Sequence, residues 1–367
     1  MTPRRVAIAH DHLVQRGGAE RLVATMAGAL PGAPVFTSVY DPEATYEAFE
    51  KLDVRPLALN RFRFFRNDHR RALLTLPVTF SRLEVEADVL LCSSAGWAHS
   101  VRTTGRKLVY WHAPNRWIHS PKTALAGQLP LLRFALEAGR RPLQRWDRSA
   151  VRSADLHLAN STSVQQRLRQ LYGIDAEVLH PPFMLGHGDE AALDGVEPDF
   201  VLLVSRRRAY KNVEAAVEAF RSLPDERLVV IGDRTRGAGA AATAPANVTF
   251  VGEVSDAQLR WAYRQARALL APAIEDFGLT PVEAAAFATP TVALHDGGYL
   301  DTVVNDHTGL FFERAEPALI AQAVRDVATH SWDRAALVEH ADRFSVTRFA
   351  CELNGYVDRL ARSTWGG

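Results

Sequence analysis

Short apolar runs recur along the chain, each followed by small or polar residues and then by a stretch of helical spacing. In the first half they read RVAIAH (5–10), VFTSVY (35–40), DVLLC (88–92), KLVYW (107–111) and LHLAN (156–160). In the second they read FVLLVS (200–205), RLVVIG (227–232), VTFVG (248–252), ALLA (268–271), TVAL (291–294) and GLFF (309–312). Runs this short, apolar on successive positions, are the pattern of strands buried on both faces of a parallel sheet. Strand and helix alternate in both halves, so the expected fold class is α/β, doubly wound, in two domains. Residues 181–198 are proline-, glycine- and acid-bearing with little periodicity. They are expected to link a first domain, 1–180, to a second, 199–344, with a helical tail over 345–367.

Parallel α/β sheets gather ligands beyond the carboxyl ends of their strands, so the residues there come next. The richest stretch follows the run ending at Ala271: PAIEDFGLTPVEAAAFATPT, residues 272–291. Glu275, Asp276, Phe277 and Gly278 read as a turn, Pro281 as a first-turn helix residue, and 282–288 as the helix that Pro290 stops. Unpaired N–H groups at a helix start attract phosphate, and Gly278 lets it approach the backbone. A carboxylate cannot bind phosphate, but it accepts hydrogen bonds from ribose or pyranose hydroxyls. Glu275 and Glu283 flanking such a loop therefore point to a nucleotide sugar. After the strand at 200–205, Arg206, Arg207, Arg208 and Lys211 place cations where a diphosphate would need neutralising, ahead of a helix expected over 213–223. After the first strand, Gly17 and Gly18 open a helix against which a diphosphate or sugar can sit. His112, with Arg116 four residues on, ends the strand at 107–111. His10-Asp11-His12 alternates between strand faces, so no metal site is expected there.

These motifs resemble retaining glycosyltransferase family 4, of the GT-B fold. Glu275-x7-Glu283 matches the family's E-x7-E spacing, with Phe277-Gly278-Leu279, Pro281-Val282-Glu283-Ala284 and Thr289-Pro290 in register. Arg206 and Lys211 fall on the positions of the family's Gly-Arg-x4-Lys loop, with Ser205 in place of the glycine. GGAE at 17–20, SSAGWAHSV at 93–101 and YWHAPNRW at 110–117 are similar to a bacterial subgroup that builds O-antigen and other surface polysaccharides and includes mannosyltransferases. That subgroup more often has His-Thr-Pro-x-Arg-Tyr, where this chain has Ala113, Asn115 and Trp117.

The resemblance implies transfer of a hexose from a nucleotide sugar with retention, the second domain holding the nucleotide diphosphate and the first the acceptor. It implies two Rossmann-like domains facing a cleft, with Glu275 contacting the sugar, Glu283 the ribose, His112 near the reacting carbon and Gly18 beside the phosphates. Gly17, Arg206, Lys211, Phe277, Gly278 and Leu279 would complete the donor site. The tail helix would cross back to the first domain. Neither metal nor cofactor is expected, the donor being a substrate; GDP-mannose is favoured and a UDP-sugar stays open. An epimerase of the same fold stays open as well, acting on the nucleotide sugar without an acceptor. A phosphorylase would need a cofactor lysine motif that the chain does not show.

Composition narrows the partners. The net charge of +1 gives no reason to expect nucleic acid, and two distant cysteines, Cys92 and Cys351, suit a reducing cytosol. No run approaches the roughly 20 apolar residues of a membrane span. Residues 60–71, NRFRFFRNDHRR, interleave arginines with Phe62, Phe64 and Phe65. They read as a solvated face or as a peripheral contact with an anionic bilayer, which is where a lipid-linked acceptor would be met. A non-enzymatic membrane scaffold or RNA-binding protein could use the same stretch, but it would leave the second-half pattern unexplained.

Overall fold

The structure, a computed structural model, describes residues 4–73, 75–119, 139–205, 211–232 and 243–362. They fall into two compact units: the chain up to Pro181 together with the residues from Thr347, and Pro182–Val346.

The first unit is built on a parallel sheet of β1 (Val6–His10), β2 (Val35–Thr37), β3 (Val54–Pro56), β5 (Val89–Ser94), β7 (Arg106–Trp111), β8 (Leu156–Ala159) and β9 (Glu177–Val178). Its order is β3-β2-β1-β5-β7-β8-β9, and β4 (Glu84–Val85) pairs with β6 (Arg102–Thr103) apart from it. Ile8, Leu90, Leu91, Leu108 and Val109 are fully buried, as continuous apolar strands between two helix layers must be. The helix Thr162–Tyr172 is fixed at both ends. The Ser161 hydroxyl accepts from the Val164 N–H at 3.0 Å, and Gly173 closes it in the left-handed conformation, φ 69°. The helix Val346–Arg362 belongs to this unit: Phe349 meets the Tyr110 ring edge-on at 6.2 Å, and Asn354 donates to the Ala29 carbonyl at 3.0 Å.

The second unit carries β10 (Phe200–Val204), β11 (Leu228–Ile231), β12 (Val248–Gly252), β13 (Ala266–Ala271), β14 (Thr291–Leu294) and β15 (Gly309–Phe312). All are parallel, in the order β12-β11-β10-β13-β14-β15. Alternate residues serve two cores. Val201, Leu203, Leu228 and Val230 join the helices Val213–Ala219 and Pro317–Thr329 on one face. Phe200, Leu202, Val229 and Ile231 join Ala262, Tyr263 and Ala284 on the other. That two-sided alternation is the double winding that the apolar runs imply.

Three details differ from the sequence reading. Residues 182–198 are no free linker: Leu185 and Leu193 are buried against Phe200, Leu202 and Tyr263, because leucines with an open apolar face nearby gain more by packing than by hydration. The helix expected over 282–288 runs Leu279–Ala286, starting directly at Gly278, and Ala288 is left-handed beyond its end, φ 60°. The helix after Lys211 tightens at Phe220 into a 3₁₀ turn, Phe220–Ser222.

Candidate active site

In the second unit, β10 and β13 are neighbours, and the loops that leave their carboxyl ends meet. Asn212, left-handed at φ 52°, donates its side-chain amide to the Pro272 carbonyl at 2.8 Å and ties one loop to the other. Lys211 thereby reaches Glu275, and its ammonium donates to Oε1 of that carboxylate. Both side chains are partly buried, where a charge pair is worth more than on an open surface.

Three residues further on, Gly278 is the N-cap of the helix Leu279–Ala286, at φ 87° and with no side-chain cap. A Cβ added there would stand 2.5 Å from the Tyr299 ring, so only glycine fits. Tyr299 comes from the turn after β14, whose Gly298 donates its N–H to the Glu275 carbonyl at 2.9 Å. Added Cβ atoms on Gly297 and Gly298 would strike the backbone of Glu275 and Phe277. The Gly297-Gly298-Tyr299 turn is therefore the backing of the Glu275 loop.

Glu283 lies one to two turns into that helix and is held from behind. The Tyr263 hydroxyl donates to its Oε2 at 2.7 Å. Tyr263 is itself fully buried and stacks on Phe287 at 5.9 Å with the rings nearly parallel. Burial, with the Glu283 carboxylate beside it, pushes the Tyr263 phenol well above its usual range, so it stays a donor. Phe277, expected at the donor, turns its ring into the core against Phe344, at 5.8 Å, and is 4% exposed. An apolar ring beside Val282 and Phe344 is better buried than offered to a sugar. Leu279 packs partly against the same group. Arg206 lies outside the described residues.

In the first unit, the polar residues sort by strand face. Asp11 points to one face and accepts four backbone N–H groups, from Ala95 (2.7 Å), Gly96 (2.9 Å), Trp97 (2.6 Å) and Ala98 (2.8 Å). Burial pushes the Asp11 carboxyl up, but His10 and these N–H bonds outweigh it, so it sits below the usual carboxylate range. Asn115 extends the same anchorage, donating to the Gly96 carbonyl at 2.7 Å and accepting from the Trp117 N–H at 3.1 Å. The loop 93–98 and the turn after β7 are thus one hydrogen-bonded body.

On the opposite face, His10, His12 and His112 approach each other, with ring centroids 6.3 Å apart for His10–His12 and 6.2 Å for His10–His112. Burial, helped by His10 and opposed by Asp11, pulls the His12 imidazole down to about 4. Gly17 is the extended N-cap of the helix Gly18–Ala29, and a Cβ there would strike the buried Glu20 carboxylate. Gly18 is exposed at the helix start. Among the described residues, no group of three His, Cys, Asp or Glu side chains is placed to hold a metal ion.

Asp11, Asn115, Tyr263 and Tyr299 are the residues that sequence reasoning missed. Each acts through a partner many positions away, and no local spacing marks such a pairing. A cavity of about 470 Å³, lined by Asp199, Arg264, Arg267, His330 and Trp332 among others, includes none of the candidate donor residues. In the stretch 60–71, Phe62 and Phe64 are 60% and 58% exposed, with the Arg71 guanidinium over the Phe64 ring at 4.5 Å. Phe65 packs partly inward, and Arg66 donates to the Asn60 carbonyl at 2.5 Å. No helix among the described residues is long and apolar enough to cross a membrane.

Comparison with known proteins adds an independent line. Residues 191–344 match the family described as glycosyl transferases group 1, and residues 16–183 match glycosyltransferase family 4. The chain is 25% identical to the alpha-1,3/1,6-mannosyltransferase ALG2 of Rhizomucor pusillus, over 99% of this chain and 94% of that protein. It is 29% identical to the D-inositol 3-phosphate glycosyltransferase of Mycobacterium sp. (strain JLS), over 65% of this chain and 60% of that protein. Among solved structures, sucrose-phosphate synthase from Thermosynechococcus elongatus superposes with a TM-score of 0.70 at 18% identity, covering 98% of this chain and all of that one. Anabaena HepE, in complex with UDP and glucose, superposes with a TM-score of 0.69 at 18% identity and the same coverage. With the two family matches covering nearly all of both units, and GT-B enzymes among its structural neighbours, the chain belongs to the family 4 glycosyltransferases and is an enzyme of that class.

Proposed function

We propose that this enzyme moves a hexose, mannose by preference, from a nucleotide-diphosphate sugar to a glycan or lipid-linked glycan acceptor in surface-polysaccharide synthesis, with retention at the anomeric carbon. The observation that carries the donor assignment is the meeting of Lys211, Glu275 and the uncapped Gly278 helix start on the loops after β10 and β13. A departing diphosphate needs positive charge and N–H donors, and both are there. In this reading Lys211, with Arg206, neutralises the diphosphate and no metal takes part; Glu283 holds the ribose and Glu275 the sugar. His112 meets the sugar near the reacting carbon, and Gly17 and Gly18 lie by the phosphates. Mannose is favoured because relatives named mannosyltransferases match nearly the whole chain.

The test is a panel of nucleotide sugars assayed for nucleotide release with and without glycan acceptors. GDP-mannose turnover that needs an acceptor and persists in EDTA supports the reading. Conversion of the sugar nucleotide without an acceptor would instead make the protein an epimerase.

The same reading places the enzyme in the cytoplasm, peripherally bound to the inner face of the plasma membrane. Exposed Phe62 and Phe64 with Arg61, Arg63, Arg70 and Arg71 around them are the supporting observation.

A further inference from the structure

The strand register of the first unit lines up His10 and Ser93 on adjacent strands, and Ser93 with Tyr110 on the next. His112 follows two residues after Tyr110, so its side chain returns to the same face. Three polar groups are thereby placed in a row. His10 Nδ1 lies 3.1 Å from the Ser93 carbonyl oxygen and 3.1 Å from Ser93 Oγ. Ser93 Oγ lies 2.7 Å from His112 Nε2. Ser93 is fully buried.

The direction of this row follows from what each atom can do. A carbonyl oxygen only accepts, so His10 Nδ1 must carry a proton. Ser93 Oγ, at the same distance, shares that donor and acts as an acceptor toward His10. A hydroxyl has one proton, and among the described residues the neighbour left to take it is His112 Nε2. That nitrogen must then be bare, and the proton of the neutral His112 ring sits on Nδ1. His10 Nε2 is enclosed and has no hydrogen-bond partner among the described residues, which suits the lone pair of this tautomer and not an N–H.

We propose that Ser93, oriented by His10, is a positioning residue that fixes His112 as its Nδ1–H tautomer, so that His112 offers the substrate a hydrogen-bond donor and not a base. The relevance to catalysis rests on the reading of His112 given above; the tautomer itself does not. A ring whose Nε2 accepts from a buried serine has no free lone pair for a substrate hydroxyl. It can donate from Nδ1 to a sugar oxygen as charge develops there.

The test is long-range ¹⁵N–¹H correlation of the histidine side chains at neutral pH, with the His112 signals assigned by their loss in His112→Gln. The wild type is expected to show a protonated Nδ1 and a bare Nε2 for His112. Ser93→Ala is expected to give the averaged shifts of a free ring, and Ser93→Thr, which restores the hydroxyl, to return the Nδ1–H pattern. In steady-state assays Ser93→Ala is expected to lower kcat by up to about tenfold, the net worth of one hydrogen bond, with the donor KM changed much less. A protonated Nε2 on His112 in the wild type overturns the proposal, and so does an unaltered tautomer in Ser93→Ala. If the tautomer is as stated but His112→Gln keeps full activity, the functional reading of His112 falls and the tautomer assignment stands.

Discussion

Lys211 donates to Glu275, so a cation suited to a diphosphate and a carboxylate suited to a sugar begin as partners of each other. An anion that takes Lys211 competes with Glu275 for it. Lys211→Ala is expected to lose nucleoside-diphosphate affinity and activity together, by about 10- to 150-fold, the 1.5–3 kcal/mol of one charge-assisted hydrogen bond. Glu275→Gln removes the competitor: nucleoside diphosphate should bind as well as before or better, while turnover with the sugar nucleotide drops. Calorimetric titration with UDP and GDP, set beside steady-state rates, checks both and reports the preferred base. Undiminished turnover in Glu275→Gln would remove that carboxylate from the chemistry.

Glu283 should fail differently. Held by the Tyr263 hydroxyl at 2.7 Å, it is placed to bind and not to react. Glu283→Gln is expected to raise the donor KM with little change in kcat, the mark of uniform binding lost. Tyr263→Phe keeps the stack on Phe287 and removes only the hydroxyl, so a smaller rise is expected, up to about tenfold. A fall in kcat without a KM change in either variant would contradict the assignment.

Membrane contact is expected to be electrostatic and peripheral. Near an anionic surface each basic side chain adds about 1 kcal/mol, and salt weakens it. Liposomes rich in anionic lipid should sediment the protein at low salt and release it at high salt. Replacing Arg61, Arg63, Arg70 and Arg71 should abolish sedimentation and leave nucleotide binding intact. Equal sedimentation with neutral liposomes would refute the electrostatic mechanism, and none with either would return the stretch to a solvated face.

Acid stability should be set partly by His157. It is 7% exposed, and Trp111 Nε1–H donates to its Nδ1 at 3.1 Å, which requires that nitrogen to be bare. Burial above all, with His99 and Lys107 nearby, pulls its imidazole down to about 4. The unfolded chain, with an ordinary value near 6.5, therefore binds more protons between those two limits. The stability this group contributes is fully present above about 6.5 and is lost as the pH falls toward 4, on the order of 3 kcal/mol in all. Urea midpoints measured across that window should fall, and His157→Gln, which keeps an acceptor but does not titrate, should flatten the fall. An equally steep fall in the variant would show that other groups govern it.

The strands, their order of appearance and the polar residues at their ends are legible in the sequence because each is a local pattern: an apolar run, a glycine, a charge. Glu275, Lys211 and His112 stand out that way. Asp11 does not, because its role is to accept N–H groups from Ala95 to Ala98, in a loop that follows β5 and meets Asp11 only once β1 and β5 have paired. Tyr263 reads as one more aromatic on a helix, and Phe277 reads as a ligand contact until Phe344 is seen against it. The packing of Leu185 and Leu193 is hidden for the same reason: two leucines in a polar stretch carry no periodicity, and the buried apolar cluster of Phe200 and Tyr263 that they join exists only once the sheet has formed.

The helix Val346–Arg362 completes the first unit, although the whole second unit precedes it in the chain. On the ribosome, therefore, the first unit is made early and finished late. Until its last helix emerges, Tyr110 and the Ala29 end of the first helix lack their cover from Phe349 and Asn354. The second unit, continuous in sequence, has no such wait. Of the two, the one whose synthesis starts first is the one exposed longest to proteases and chaperones.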